Sequence, residues 1–159
     1  MELNEVGSHE IPMDLLLEAD PSKESISSYL PSSWCFSASE NGKTLGVCVV
    51  KPQKHTVAEI YNVSVYPDNQ GRGIGSELLR FVLSVLPTKG IERVELGTGT
   101  FGYQLTYYQR LGFRVDSVAK DYFLLNYPEP IFENGIQHKD MLRLYIPVSY
   151  THLTLPTTR

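Results

Sequence analysis

Apolar and polar positions alternate along this chain with two different periods, and the switches between them outline its elements. Thr56 to Tyr66 carries Ile60, Val63 and Val65 among its apolar positions and reads as a strand that Pro67 stops. From Ile74 the residues Leu78, Phe81, Val82 and Val85 recur at helical spacing until Pro87 and Gly90, which predicts an amphipathic helix. Trp34 to Ser39 and Thr44 to Lys51 predict a hairpin about Asn41-Gly42. A type I′ turn there sets Glu40 opposite Lys43 and, counting outward, Cys35 opposite Cys48. Upstream, Pro12 to Ala19 and Pro21 to Leu30 read as two short helices, the second opened by Asp20 as N-cap and Pro21 at its first position. Downstream, Ile91 to Leu96 predicts a strand, Tyr103 to Leu111 a helix closed by Gly112, and Phe113 to Val118 and Tyr122 to Leu125 further strand. Glu133-Asn134-Gly135-Ile136 signals a tight turn, and Met141 to Ile146 a final strand.

The segment from Val63 to Ser76 joins these patterns to chemistry, because an apolar strand runs into Gln70-Gly71-Arg72-Gly73-Ile74-Gly75 and then straight into the best-defined helix. Glycines let backbone amides converge on an anion without Cβ atoms in the way. The new helix adds its unpaired N–H groups and the positive end of its dipole. The pattern therefore predicts a phosphate cradle.

Length and composition narrow what that phosphate belongs to. With 159 residues, 42% of them hydrophobic, the chain has material for one well-cored domain and too little to argue for two. A formal charge of −4 gives no electrostatic reason to expect nucleic acid or an anionic membrane as a partner. The acidic start Met1 to Glu5 is unlike a secretory leader and the longest apolar runs fall short of a membrane span, so the expected location is cytoplasmic. Two cysteines exclude a disulfide-rich scaffold, and in a reducing compartment Cys35 and Cys48 are expected as buried thiols. His9, His55, His138 and His152 lack metal-ligand spacing, so no metal is expected. Asp121, Glu129, Glu133 and Asp140 gather towards the C-terminus, where a solvated surface is the first reading and a pocket for a cationic amine the second. Residues 148–159 lack an acidic residue and break the preceding pattern, so they are set apart from the 1–147 domain as read-through or a cloning scar and expected to pack poorly.

The loop Gln70 to Gly75 resembles the acetyl-CoA pyrophosphate loop of the GNAT superfamily of N-acetyltransferases, and Tyr108-Gln109-Arg110-Leu111-Gly112-Phe113 resembles that family's Tyr-x-x-x-Gly-Phe signature. The likeness runs from about Leu3 to Ile146. It implies an α+β fold: a mixed, mostly antiparallel sheet flanked by helices and splayed open between the strand ending at Val65 and the strand ending at Leu96. Carried over by residue, Val63, Ser64 and Val65 match the strand that pairs with pantetheine, and Gln70, Gly71, Arg72, Gly73, Ile74, Gly75 and Ser76 match the diphosphate loop. Tyr108 matches the tyrosine that faces the departing thiol, and Glu59, eleven residues before Gln70, matches a general base of some relatives. Where many members place a cofactor-contacting asparagine, this chain has Thr100 and Phe101, and Thr100 is the partial substitute.

The implied reaction moves an acetyl group from acetyl-CoA, a co-substrate, to a primary amine in a ternary complex. An amine of pKa about 10.4 is almost wholly protonated at pH 7, and freeing its lone pair costs roughly 4.6 kcal/mol, so a base is worth having. The expelled thiolate, of pKa about 8.5, can take its proton from a phenol of pKa about 10. A backbone N–H of the splayed strand would polarise the thioester carbonyl. The partner is a small-molecule or peptide amine, and the exposed edge of the terminal strand suggests a homodimer. Two other readings stand beside this one. One is a non-catalytic acyl-CoA-binding or sensor module. The other is a Rossmann-type oxidoreductase, because Gly97-Thr-Gly99-Thr-Phe-Gly102 also satisfies Gly-x-Gly-x-x-Gly between a strand and a helix.

Overall fold

The computed structural model describes residues 1–149. It forms two compact units, one of Met1–Val94 with residues 147–149 and one of Glu95–Ile146. The architecture is mixed α+β, with its longer strands mostly antiparallel.

In the first unit, β1 (Glu2–Val6), β2 (Trp34–Glu40), β3 (Lys43–Pro52) and β4 (Val57–Val65) pair in that order, each antiparallel to the next. The β2–β3 hairpin closes as expected, with Glu40 opposite Lys43 and both turn residues at positive φ, Asn41 at 53° and Gly42 at 77°. The expected pairing of Cys35 with Cys48 does not form. A bulge between Ala38 and Ser39 shifts the register by one, so that Cys35 faces Val49 and Phe36 faces Cys48. Because neighbours on a strand alternate in direction, that slip sends the two thiols to opposite faces of the sheet. Cys35 joins Ile11, Leu15, Leu16, Ile26, Tyr29, Val47 and Val49 in the core cluster beneath the N-terminal helices. β1 is an element the pattern did not announce, since Glu2-Leu-Asn-Glu-Val6 is polar and mostly exposed and is recruited by pairing with β2.

Those helices are α1 (Met13–Leu16) and α2 (Lys23–Tyr29). The N-cap of α2 is Ser22, not Asp20: the Ser22 hydroxyl accepts from the Ser25 amide at 3.1 Å. Asp20 stands just outside, accepting the Ser22 amide and the Ser25 hydroxyl. α3 (Ile74–Val85) follows its predicted periodicity and buries Ile74, Leu78, Leu79, Val82 and Leu83 along one stripe.

In the second unit, β5 (Arg93–Gly99, from Glu95 on), α4 (Tyr103–Arg110), β6 (Arg114–Ala119) and β9 (Met141–Pro147) match four predicted elements. β9 lies between β5 and β6, so the exposed edge ascribed to the terminal strand belongs to β6. The segment Tyr122–Asn126 is helical, α5, where strand was expected. A short apolar run fits either period, and the carbonyl of Asp121, accepting the Leu124 and Leu125 amides, decides for the helix. The Asn134-Gly135 turn forms between β7 (Phe132–Glu133) and β8 (Ile136–Gln137), both turn residues again at positive φ. Of the segment set apart as a tail, Val148 is buried and its N–H donates to the Glu92 carbonyl at 3.0 Å, while residues 150–159 lie outside the described residues. No helix among the described residues is long and apolar enough to cross a membrane.

Candidate active site

The β4–α3 connection is built from its backbone. After β4 a 3-10 turn of Pro67–Asn69 leads to Gln70, whose side-chain amide donates back to the Val65 carbonyl at 2.9 Å and ties the loop to the strand end. Gly71 and Gly73 follow at φ 80° and 78°, values that L side chains rarely adopt. No described heavy atom comes within 4 Å of where a Cβ would stand on either. Gly73 is the N-cap of α3 and offers no side chain to the first helical amides, so those donors are left to another acceptor. Gly75 lies inside α3, past the turn. The Arg72 guanidinium donates to the Asn69 side-chain oxygen at 2.9 Å and lies 3.6 Å from the Glu40 carboxylate. Ile74 is core, and Ser76 sits half-buried in the first turn. This turn has features that an anion cradle needs: a helix start with no side-chain cap, the positive end of its dipole and no Cβ to fill the space.

β4 itself carries a correction to simple alternation. Val49 faces Asn62 and Val50 faces Ile60, so Tyr61 is an extra residue, a bulge. Glu59 is opposite Lys51 and Asn62 opposite Val49; Lys51 and Val49, two apart, point the same way, so Glu59 and Asn62 do as well. Strict alternation would have put Glu59 with Val63 and Val65. The bulge instead groups it with Asn62 and Ser64, towards the face of the α1–α2 cluster. Glu59 is half-buried, with the Gln53 amide at 3.5 Å, and Gln53 also donates to the Tyr61 hydroxyl at 3.2 Å.

A buried polar chain, unannounced by any motif, runs along that face. The Ser64 hydroxyl donates to the Asn62 side-chain oxygen. The Asn62 amide donates to the Leu16 carbonyl at 3.0 Å and the Tyr29 hydroxyl at 3.1 Å, and that hydroxyl donates to Asp20 at 3.2 Å. Tyr29 also stacks on Tyr61, ring centroids 4.9 Å apart. The bulged strand is thereby fastened to both N-terminal helices. The only legible hint was two polar residues, Asn62 and Ser64, at otherwise buried positions of an apolar strand.

Tyr108 lies near the end of α4, half-buried, its ring edge-on to Phe113 with centroids 5.9 Å apart. The Tyr-x-x-x-Gly-Phe spacing has a direct structural meaning. The Gly112 N–H donates to the Gln109 carbonyl and the Phe113 N–H to the Tyr108 carbonyl, with Gly112 at φ 110°, which is a Schellman closure. Phe113 is the buried anchor of that closure, as expected of a core residue. Thr100 is exposed on the turn between β5 and α4. The glycines around it need no nucleotide: Met141, His138 and Glu133 occupy the places where Cβ atoms at Gly97, Gly99 and Gly102 would be. The reading as a dinucleotide fingerprint therefore gives way to packing. Among the described residues no group of three or more His, Cys, Asp or Glu is gathered as for a metal ion.

The sequence profile of the Acetyltransferase (GNAT) family matches residues 6–113. The chain belongs to that family. It is 39% identical over 147 residues to the uncharacterized N-acetyltransferase YvbK of Bacillus subtilis (strain 168), covering 92% of this chain and 94% of that protein. A GNAT family acetyltransferase from Elizabethkingia anophelis, solved with acetyl-CoA bound, matches with a TM-score of 0.88 at 39% identity over 92% of this chain and 97% of that one. The IAA acetyltransferase from Bacillus cereus ATCC 14579 matches with a TM-score of 0.88 at 37% identity, covering 92% and 99%. This GNAT chain is thus an acyltransferase. Its two motif regions, the Gln70–Gly75 loop and the Tyr108–Gly112–Phe113 closure, are each locally well formed.

Proposed function

We propose that this enzyme takes acetyl-CoA as donor and transfers the acetyl group directly to a primary amine in a ternary complex. The observation that carries the donor assignment is the Gly71–Gly73 turn, which is left-handed, open where side chains would be, and followed by an uncapped twelve-residue helix. The acetyl-CoA bound to the Elizabethkingia relative supports the same reading. In it, the amides of Gly71 to Ser76 hold the diphosphate, and the main chain of Val63, Ser64 and Val65 pairs with pantetheine as an added strand. Thr100 contributes a further polar contact to the cofactor.

Glu59 receives the proton of the acceptor ammonium, and Tyr108 protonates the departing thiolate. The bond formed is nitrogen to acetyl carbon and the bond broken is carbon to sulfur, so no metal or acyl-enzyme is needed. The acceptor is a small-molecule or peptide amine. Thiol release from acetyl-CoA against a panel of amines, with calorimetric CoA binding alongside, tests the reading. Amine-dependent release with saturable binding is the expected result. Binding without turnover on any amine would support a non-catalytic acyl-CoA module, and a folded protein that does not bind CoA would overturn the donor assignment. Within the reaction, Tyr108→Phe is expected to lower kcat by roughly 10²-fold with little change in acetyl-CoA binding.

A further inference from the structure

We infer that His138 and Glu133 form a positioning pair that fixes the start of α4 and, through that helix, the hydroxyl of Tyr108. The inference rests on the proposed role of Tyr108. α4 raises the question by itself, because no residue of this eight-residue helix is buried. With side chains at most half-buried, the helix leans more than α3 does on what holds its two ends. The C-terminal end is held by the Gly112–Phe113 closure.

At the N-terminal end the turn Gly99–Gly102 wraps around His138. His138 is 8% exposed, with Phe101 stacked on its ring at 4.2 Å and 6° and Phe123 beside it at 5.6 Å. Its Nε2–H donates to Glu133 Oε1 at 2.8 Å, since a carboxylate can only accept. Nδ1 is buried and has no partner among the described residues, so Glu133 is the single polar anchor of the ring. The same carboxylate lies against Gly102, the N-cap of α4, with Oε2 at 2.7 Å from where a Cβ would stand. A negative group there also suits the helix dipole. The β7–β8 hairpin delivers Glu133 to this spot, and His138 follows directly on β8, its N–H donating to the Ile131 carbonyl at 2.8 Å. Removing the pair frees the first turn of α4 to tilt about its C-terminal closure; the Tyr108 backbone stays in that closure, but the tilt swings its side chain and with it the hydroxyl.

The full chain with His138→Leu, His138→Gln and Tyr108→Phe, singly and combined, tests this. His138→Leu is expected to lower kcat about 10-fold or more with the KM for acetyl-CoA within about twofold, as displacement of a reacting group does. His138→Gln, whose amide can still donate to Glu133, should restore most of the rate. In the Tyr108→Phe background His138→Leu should cost nearly nothing further, because the two act as one. Amide hydrogen exchange at residues 103–107 should quicken in His138→Leu and stay near wild type in His138→Gln. Full additivity of the two substitutions, or unchanged exchange in His138→Leu, overturns the inference. Should Tyr108→Phe turn over like wild type, the acid role of Tyr108 falls, and the link from the pair to Tyr108 falls with it; the exchange result then decides whether the pair fixes α4.

Discussion

At Gly71 and Gly73 the space beside the α-carbon is open, whereas at Gly97, Gly99 and Gly102 it is taken by Met141, His138 and Glu133. Both glycine-rich turns follow a strand and start a helix whose N-cap is a glycine without a side-chain cap. Written as motifs they compete for the same role. Built in three dimensions, one is open beside its α-carbons, and the other is closed by its own unit. A glycine pattern thus reports that a side chain is absent, and only the neighbours tell what uses the space.

Alanine at each turn should separate the two. Gly102→Ala, at φ 106° and against the Glu133 carboxylate, combines backbone strain with overpacking and is expected to destabilise the fold by roughly 2–5 kcal/mol, read from denaturant unfolding. Unchanged stability would mean that the second turn is as open as the first. Asn62→Leu, which strands the Leu16 carbonyl and the Ser64 hydroxyl, should cost about 2–4 kcal/mol by the same measurement and show that the first unit has a closed polar core of its own. Gly73→Ala meets no atom within 4 Å and carries only the left-handed penalty of about 1–2 kcal/mol, so the protein should stay folded. Its CoA affinity should nonetheless drop by about tenfold or more, each tenfold being worth about 1.4 kcal/mol. A Gly73→Ala protein that binds CoA normally would remove the distinction between the turns.

The smallest effect concerns the first unit's thiols. Burial, with the Glu5 carboxylate adding to it, raises the Cys35 pKa from its ordinary 9.0 to about 11, and burial pushes Cys48 up as well. Below pH 9 the thiol is protonated in both folded and unfolded chains. Above it the unfolded chain ionises first, so the contribution to stability declines from about pH 9 to about pH 11. Cys35→Ala should flatten part of that decline in unfolding curves taken across this range. In the native state both thiols should resist alkylation at pH 8, and rapid labelling of the folded protein would contradict their placement on two buried faces.

The stretches whose geometry comes from adjacent residues were legible before any coordinates. Asn41-Gly42 and Asn134-Gly135 form their predicted turns, α3 follows its apolar period, and Gly112 closes α4 because a left-handed residue is needed where Tyr108 and Phe113 bond. The conformation of the Gln70 to Ser76 turn belongs to the same class, since it is written into seven consecutive residues. What escaped was set by partners far along the chain or by one-residue shifts. The Ala38–Ser39 bulge separates the cysteines, and the Tyr61 bulge moves Glu59 to the face of Asn62. β1 is a strand because β2 offers it an edge.

Local backbone preference, encoded in glycine, proline and the apolar period, was therefore enough to determine the helix and the turns, the open Gly71–Gly73 turn among them, and with the two motifs the family. Tertiary structure alone decided which face of β4 carries Glu59, how Asn62 and Asp20 fasten the N-terminal helices, and that His138 and Glu133 fill the second glycine turn. The reason is physical: φ and ψ respond to immediate neighbours, whereas register and occupied volume are settled only when distant segments compete for the same hydrogen bonds and the same space.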